Sequence, residues 1–424
     1  MNANTGKPNG KNTLRISKAD QAKHLKWVLG LTSIPTAAGR EHRVIRWIES
    51  WVNKRPGLHV IRDHWGNVLV KPRSVAWPSV LFTAHLDHPA FVITKIVDDR
   101  TLEAEFRGGV MPVYFVDGKV RIWDDRDRSI AGRIVEHHKG RVFDEVTIRL
   151  SRSLPGSQSS LPIATWDIPP AQVIRGRIHA PACDDLAGAA AAISALDVLQ
   201  GSGSEPLSVG LLFTRAEEVG FLGAILACDS GFIPQKSKVI ALENSRSFAE
   251  SPIGAGPIVR VGDKMSIFHH GLTYAISQIA DENAKTNPNF KWQRKLMPGG
   301  TCEATAYFAY GYEATCLCLP LGNYHNMGDL DAVIAGTNRT KPRAAAEIVS
   351  VSDYHGLVEL LVACGHRLAS GSQGQLGLDG AQAILNRLHS IRDEKRFVLE
   401  DSSSALVSRS ESTRKPRQGM KNAP

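Results

Sequence analysis

Four short apolar runs in this 424-residue chain each lead into an imidazole or a carboxylate, and that pattern restricts the fold more than any other feature. VLFTAH (80–85) closes on His85, and LSVGLLFT (207–214) is followed two residues later by Glu217-Glu218. KVIALEN (238–244) carries Glu243, and ATCLCLP (314–320) is followed shortly by His325. Continuous apolar, β-branched runs of this kind read as buried central strands. Helical periodicity lies between and after them, in LAGAAAAISALDVL (186–199), near FLGAILAC and across AEIVSVSDYHGLVELLVAC (346–364). Strands interleaved with helices predict a doubly wound α/β layer sandwich. In such sheets the functional crevice lies outside the carboxyl ends of the strands. The four runs therefore bring their polar residues to one rim.

The alternation is interrupted once. From His88 to about Arg177 the runs FVITKIV, KVRIW, AGRIVEHH and EVTIRL are short, β-branched and separated by Gly, Asp and Pro, which predicts an all-β unit. The expected organisation is a disordered segment at 1–20, an α/β domain in two parts (21–87 and 178–370) and an inserted small all-β domain at 88–177. A helical extension (371–400) and a disordered basic tail (401–424) follow. In the first part, two helices flank a Pro/Gly turn, the second with Ile45, Ile48 and Val52 on one face.

Taken singly, the polar residues have ordinary explanations. His85-Leu-Asp87 suits a solvated turn, Asp184-Asp185 a helix cap, and Glu217-Glu218 surface charge. The conjunction at successive strand ends is what carries chemistry. Two imidazoles and several carboxylates, with no Cys among them, form an N/O donor set suited to Zn, Co or Mn. It is rich enough for two ions sharing one carboxylate. The adjacent pairs His137-His138 and His269-His270 point in different directions from neighbouring positions, and structural or solvent roles are expected for them.

The ordered set TAHLDH, ACDDLAG, FTRAEEVGFLGA, ALENS and His325 resembles the co-catalytic metallopeptidases, and in particular the M42 aminopeptidase branch, which includes glutamyl, deblocking and tetrahedral aminopeptidases. EEVGFLGA is the most specific piece, and PTAAGRE, DHWGN, GAGP, PGGT and SVSDYHGLVELL support it. The 99 residues from His85 to Asp184 leave room for the β-rich insertion, where that branch carries its oligomerisation domain. The related M28 branch has its first two ligands close together, and the M20 branch places its accessory domain later. The resemblance implies a three-layer αβα, zinc-peptidase-like catalytic domain holding two divalent ions, with Zn first and Co or Mn as alternatives.

Asp184 would bridge the two ions, with Asp185 as the reserve candidate. His85 and Glu243 would complete one site, Glu218 and His325 the other. Asp87 would fix the His85 ring, and Glu217 would serve as general base. The implied activity is removal of N-terminal residues from peptides by a homo-oligomer. A carboxypeptidase, an N-acyl-amino-acid deacylase or a non-enzymatic assembly relative are the alternatives. The chain departs from the branch at Asp87-His88-Pro89-Ala90, where Asp-Glu-Ile-Gly is usual, and at Cys302-Glu303, where Asp-Ala is usual. Glu243 also stands where many members have Asp.

Composition bears on partners. The net charge of +9 sits mostly in the ends, +4 in residues 1–24 and +3 in 401–424, so nucleic acid is not an expected partner. No run approaches a membrane span, and the N-terminus lacks a secretory apolar stretch. The six cysteines form no CxxC pair and read as reduced core thiols, so a cytoplasmic location is expected.

Overall fold

The computed structural model describes residues 16–124, 126–154, 161–201, 207–369 and 376–395. The expected disorder at 401–424 and in the first fifteen residues falls outside them. Two helices open the chain, α1 (Lys18–Leu31) and α2 (His42–Asn53). Helix α1 starts inside the segment expected to be disordered, because the Ser17 hydroxyl caps it by accepting from the Asp20 N–H at 3.0 Å. Ile45, Ile48 and Val52 of α2 are all buried, as their helical spacing requires.

Strands β1 (Leu58–Arg62), β2 (Val68–Pro72) and β3 (Val80–His85) lead into the β-rich segment. There β4 (Ala90–Asp98), β5 (Thr101–Arg107), β6 (Lys119–Trp123), β7 (Ser129–Lys139), β8 (Asp144–Leu150) and β9 (Ile163–Trp166) close into a barrel in the order β4-β5-β8-β7-β6-β9. Closure leaves no free edge. Alternate strand residues turn inward, so Phe91, Phe106 and Trp166 meet at the centre with Phe115 from the turn after β5, the Phe91–Phe106 and Phe106–Phe115 centroids lying 4.8 and 5.0 Å apart. His137 stacks on Phe115 at 4.4 Å, while its neighbour His138 is exposed.

Beyond the barrel come β10 (Gln172–Ile174), β11 (Arg177–Ala180), α3 (Leu186–Gly201), β12 (Val209–Thr214), α4 (Leu222–Asp229), β13 (Lys238–Arg246) and β14 (Ile258–Gly262). They are followed by α5 (His270–Thr286), β15 (Gln293–Leu296), α6 (Glu303–Ala309), β16 (Ala314–Leu321), α7 (Leu330–Ile334), β17 (Glu347–Ser350) and α8 (Val351–Ala369). Helix α9 (Leu376–Lys395) belongs to a separate compact unit. Among the described residues no helix is long and apolar enough to cross a membrane.

The main sheet runs β1-β2-β12-β3-β13-β16-β14-β15. Its centre, β12-β3-β13-β16, is parallel throughout and buried along nearly its whole length. The Ala-rich helix α3 packs closely on β3, β12 and β13, which its small side chains allow, and also meets α1 and α8. Helices α4 and α6 cover the face that presents Leu81, Leu212, Ala241, Cys316 and Cys318. The fold is thus mixed α/β, a helix-flanked sheet carrying a closed barrel.

One element departs from the sequence reading. The stretch at 346–364 is not helical from its start, because Glu347–Ser350 forms β17 and pairs antiparallel with β11 before α8 begins. Its β-branched Ile348 and Val349 favour extended backbone. Strands β10 and β11 likewise join this small three-stranded sheet rather than the barrel.

Candidate metal centre

Because β12, β3, β13 and β16 are parallel, their carboxyl ends share one rim, and the polar residues after each run converge there. His85 ends β3 with its Nε2 3.4 Å from Asp184 Oδ1, 3.8 Å from Glu217 Oε2 and 3.9 Å from Glu243 Oε1. His325 points its Nε2 at Asp184 Oδ2 (3.6 Å) and Glu218 Oε2 (3.5 Å). Asp184 therefore shows one oxygen to each imidazole. Asp185, joined to it by a cis peptide bond, turns away and accepts from Asn244 Nδ2 at 2.6 Å. The Asp185 carboxylate lies against α3, where a Cβ on Gly188 would come within 2.3 Å of it.

The supports are as specific as the site. Asp87 sits 3.6 Å from His85 Nδ1 through its carboxylate and 3.2 Å through its own carbonyl, which takes the ring proton. The same carboxylate also grips the turn after β12, where Oδ1 accepts from the Glu217 N–H (2.9 Å) and Oδ2 from the Glu218 N–H (3.0 Å). His325 Nδ1 donates to the Gly109 carbonyl at 2.6 Å, which fixes the ring with Nε2 turned toward the carboxylates. Gly109 follows β5, so the barrel end orients this ring.

Three further residues hold the site; the sequence assigned no role to Glu41 or Glu347 and marked His88 only as a departure from the M42 pattern. Glu41, fully buried, accepts from the Ala216 N–H (3.0 Å) and from Arg215 Nε (2.8 Å). It steadies Ala216, whose φ of 54° is left-handed. Glu347 accepts from the backbone at residues 183, 184 and 325. His88 reaches the Asp184 carbonyl at 2.6 Å and Asn326 Oδ1 at 2.9 Å. Burial holds the His88 pKa down at about 4, so the neutral ring donates at only one of the two. Glu41 lies in PTAAGRE, a visible motif, but nothing in the sequence marked Glu347.

Electrostatically the carboxylates crowd one another. Burial, reinforced by neighbouring carboxylates, lifts Glu218 to about 8 and Glu243 to about 7, and pushes Glu217 well up. Burial opposes a charge on His325, yet Glu218 and Asp184 raise it to about 10. Glu303, buried nearby, is lifted by burial to about 7. Asp184 Oδ1, Asp185 Oδ2 and Glu218 Oε1 are buried without a hydrogen-bond partner, as are both Glu303 oxygens. Buried, crowded and unpartnered carboxylate oxygens facing imidazole nitrogens fit divalent cations. Two groupings have that form, His85–Asp184–Glu218 and His85–Glu217–Glu243, each with its donor atoms within 4.8 Å.

A cavity of about 250 Å³ opens over these residues. Arg246, Phe248, Arg260, Met297 and Ile334 line its other sides, with Met111 contributed from beside the barrel. Arg246 is paired with Asp331. Arg260 is 3% exposed and donates only to Ser245 Oγ (3.1 Å); its Nε has no partner. Cys302, where the sequence departs from the M42 pattern, buries its thiol and caps α6, its N–H donating to Asp263 at 3.1 Å.

The backbone resembles solved peptidases over most of its length. An aminopeptidase of the archaeon Desulfurococcus kamchatkensis is 20% identical with a TM-score of 0.65, covering 82% of this chain and 95% of its own. The TET1 peptidase of Pyrococcus horikoshii, described as assembling into a tetrahedron or a large octahedral shell, is 20% identical with a TM-score of 0.64, covering 81% and 99%. A TET aminopeptidase from a marine sediment thaumarchaeon is 17% identical with a TM-score of 0.65, covering 82% and 98%. At these identities the likeness is one of fold. Residues 160–336, which include Asp184, Glu217, Glu218, Glu243 and His325, match the family model described as M42 glutamyl aminopeptidase.

Proposed function

We propose that this protein is a dinuclear metal-dependent aminopeptidase that removes N-terminal residues from peptides. The observation that carries this reading is Asp184 standing between His85 and His325, one oxygen toward each, with a glutamate at either flank. His85 and Glu243 would hold one ion, Glu218 and His325 the other, and Asp184 both. Zn, Co or Mn in this donor set supplies Lewis acidity, which lowers the pKa of water and polarises a carbonyl. Glu217 takes the proton of the attacking water at Oε2 and passes it to the leaving amine nitrogen, giving a free amino acid and a shortened peptide. Its burial among carboxylates raises its proton affinity, which suits a group that must both accept and donate. The Asp87 clamp on the Glu217 and Glu218 N–H groups keeps the base and a ligand in fixed relation.

Substrate preference is read from the rest of the cavity. Among the described residues no carboxylate lies within ion-pair distance of Arg260, and a buried unpaired guanidinium favours an anionic occupant. An acidic amino-terminal residue supplies one, in keeping with the glutamyl aminopeptidase description of the family. The catalytic domain is read as a three-layer αβα sandwich, with α3 and α8 opposite α4 and α6. Assembly of the chain into a homo-oligomer is supported by the tetrahedral and octahedral shells described for the Pyrococcus relative. Six free, buried cysteines support the cytoplasm as its compartment.

The test is hydrolysis of chromogenic Glu-, Asp-, Leu- and Lys- substrates after chelation and reloading with each metal. Activity on free-amine substrates, lost on chelation and on N-acetylation, is the expected result. Cleavage of only the N-acylated forms would overturn the aminopeptidase reading in favour of a deacylase. Arg260→Met should reduce the preference for Glu over Leu about tenfold or more.

A further inference from the structure

Glu347 opens β17 and is fully buried, and its carboxylate spends all its observed hydrogen bonds on backbone. Oε2 accepts from the Cys183 N–H at 2.7 Å and the Asp184 N–H at 3.0 Å, while Oε1 accepts from the His325 N–H at 2.9 Å. The two segments it joins are 141 positions apart and neither is regular structure where it is gripped. Asp184 lies ahead of α3, and His325 lies in a short turn with φ 53° and ψ 36°. Asn323 and Asn326 around it also have positive φ, at 53° and 62°. Non-glycine residues in the left-handed region hold only where their surroundings determine them.

We propose that Glu347 is a positioning residue that presets the Asp184–His325 half of the metal centre, an inference that rests on the dinuclear reading above. A carboxylate accepting from N–H groups makes stronger hydrogen bonds than a neutral amide would. One Glu347 oxygen fixes the approach of Asp184 and the other fixes the turn that presents His325, so the spacing between these two ligands is set before any ion arrives. His85 and Glu243 receive nothing from Glu347. They stand on β3 and β13, where His85 pairs with Thr214 of β12 and Glu243 with Cys318 of β16, so the ladders already place them. The carboxylate therefore acts on one half of the centre far more than on the other.

Glu347→Gln keeps the shape but turns one acceptor into a donor. The amide keeps most bonds with its oxygen on the two N–H groups at 183 and 184, so its NH2 faces the single His325 N–H and the His325 grip is lost. Full-length protein, stripped of metal and titrated with Co²⁺, reads both sites by stoichiometry and visible absorption. The expected result is one ion bound as in the wild type and the second weakened about 10- to 100-fold. Backgrounds identify which is lost. Adding Glu347→Gln to Glu218→Gln should leave the remaining ion in place, whereas adding it to Glu243→Gln should release the remaining ion. Two ions bound with wild-type affinity, or equal weakening in both backgrounds, would overturn the proposal. A merely structural role predicts that equal weakening. Should Glu347→Gln not fold by circular dichroism, Glu347→Asp repeats the comparison with a shorter arm, and unchanged second-site affinity there overturns it as well. A wild type that takes up no metal overturns the dinuclear reading itself, while a loaded wild type beside an unaffected variant overturns only the role of Glu347.

Discussion

His85 and His325 occupy equivalent places around Asp184, but they are held in different ways. His85 is the last residue of a buried parallel strand, and its ring nitrogen is satisfied two residues away by Asp87. His325 sits on a left-handed turn and borrows its support from a distance, with Gly109 on its ring and Glu347 on its N–H. The first half is built by local sequence and one sheet; the second is assembled from three parts of the chain. A ligand on a strand is positioned by the ladder, whereas a ligand on an irregular turn is only as precise as the groups that grip it.

The largest effect is expected where the halves share a function. Glu217→Gln should lower kcat about 10²- to 10⁴-fold while the protein still binds two ions, measured by turnover and elemental analysis together. Loss of metal in that variant would mean that Glu217 ligates rather than transfers protons, as the His85–Glu217–Glu243 grouping allows. Next, Phe106→Ala in the barrel core should cost about 3–5 kcal/mol in denaturant unfolding. Because Gly109 follows the strand that carries Phe106, metal at the His325 half should weaken more than at the His85 half. Equal weakening would erase the contrast between them.

A smaller effect follows from His88, which links the Asp184 carbonyl to Asn326. Its pKa is near 6.5 in the unfolded chain and about 4 in the fold, so between these values the unfolded chain binds the proton first. Stability of the metal-free protein should therefore fall as pH drops from 6.5 to 4, by up to about 3 kcal/mol from this group. His88→Gln should remove that share of the slope, and an unchanged slope would show that His88 is not held neutral. The smallest change is Asp87→Asn, which opposes one amide donor to the Glu217 or Glu218 N–H. It should cost about 10- to 100-fold in activity with the His85-half ion retained.

What the sequence disclosed follows the same division. The strand-end residues His85, Glu217, Glu218 and Glu243 were legible because apolar runs mark central strands and parallel strands share a rim. The choice between Asp184 and Asp185 was not, since adjacent residues differ only in which way the backbone turns them. Glu347 was hidden twice over. Its strand merges in sequence with the helical pattern of α8, and its partners are backbone groups at 183, 184 and 325 that only tertiary structure brings near. Glu41 accepts from a loop 175 positions away for the same reason. Side chains that answer backbone donors leave no spacing rule behind them, unlike side chains that answer a metal or a core.

The Gly109 carbonyl on His325 has a wider consequence. A bond of 2.6 Å ties the exit of a barrel strand to a ring 216 residues later in the chain. Whatever changes the barrel's free energy, including contact with another subunit, is then thermodynamically linked to cation affinity at that ring. Linkage is reciprocal, so an ion that prefers the oriented ring must stabilise the barrel end by the same amount. Heat or denaturant applied to the β-rich unit should thus report, from outside the active site, how fully the site is loaded.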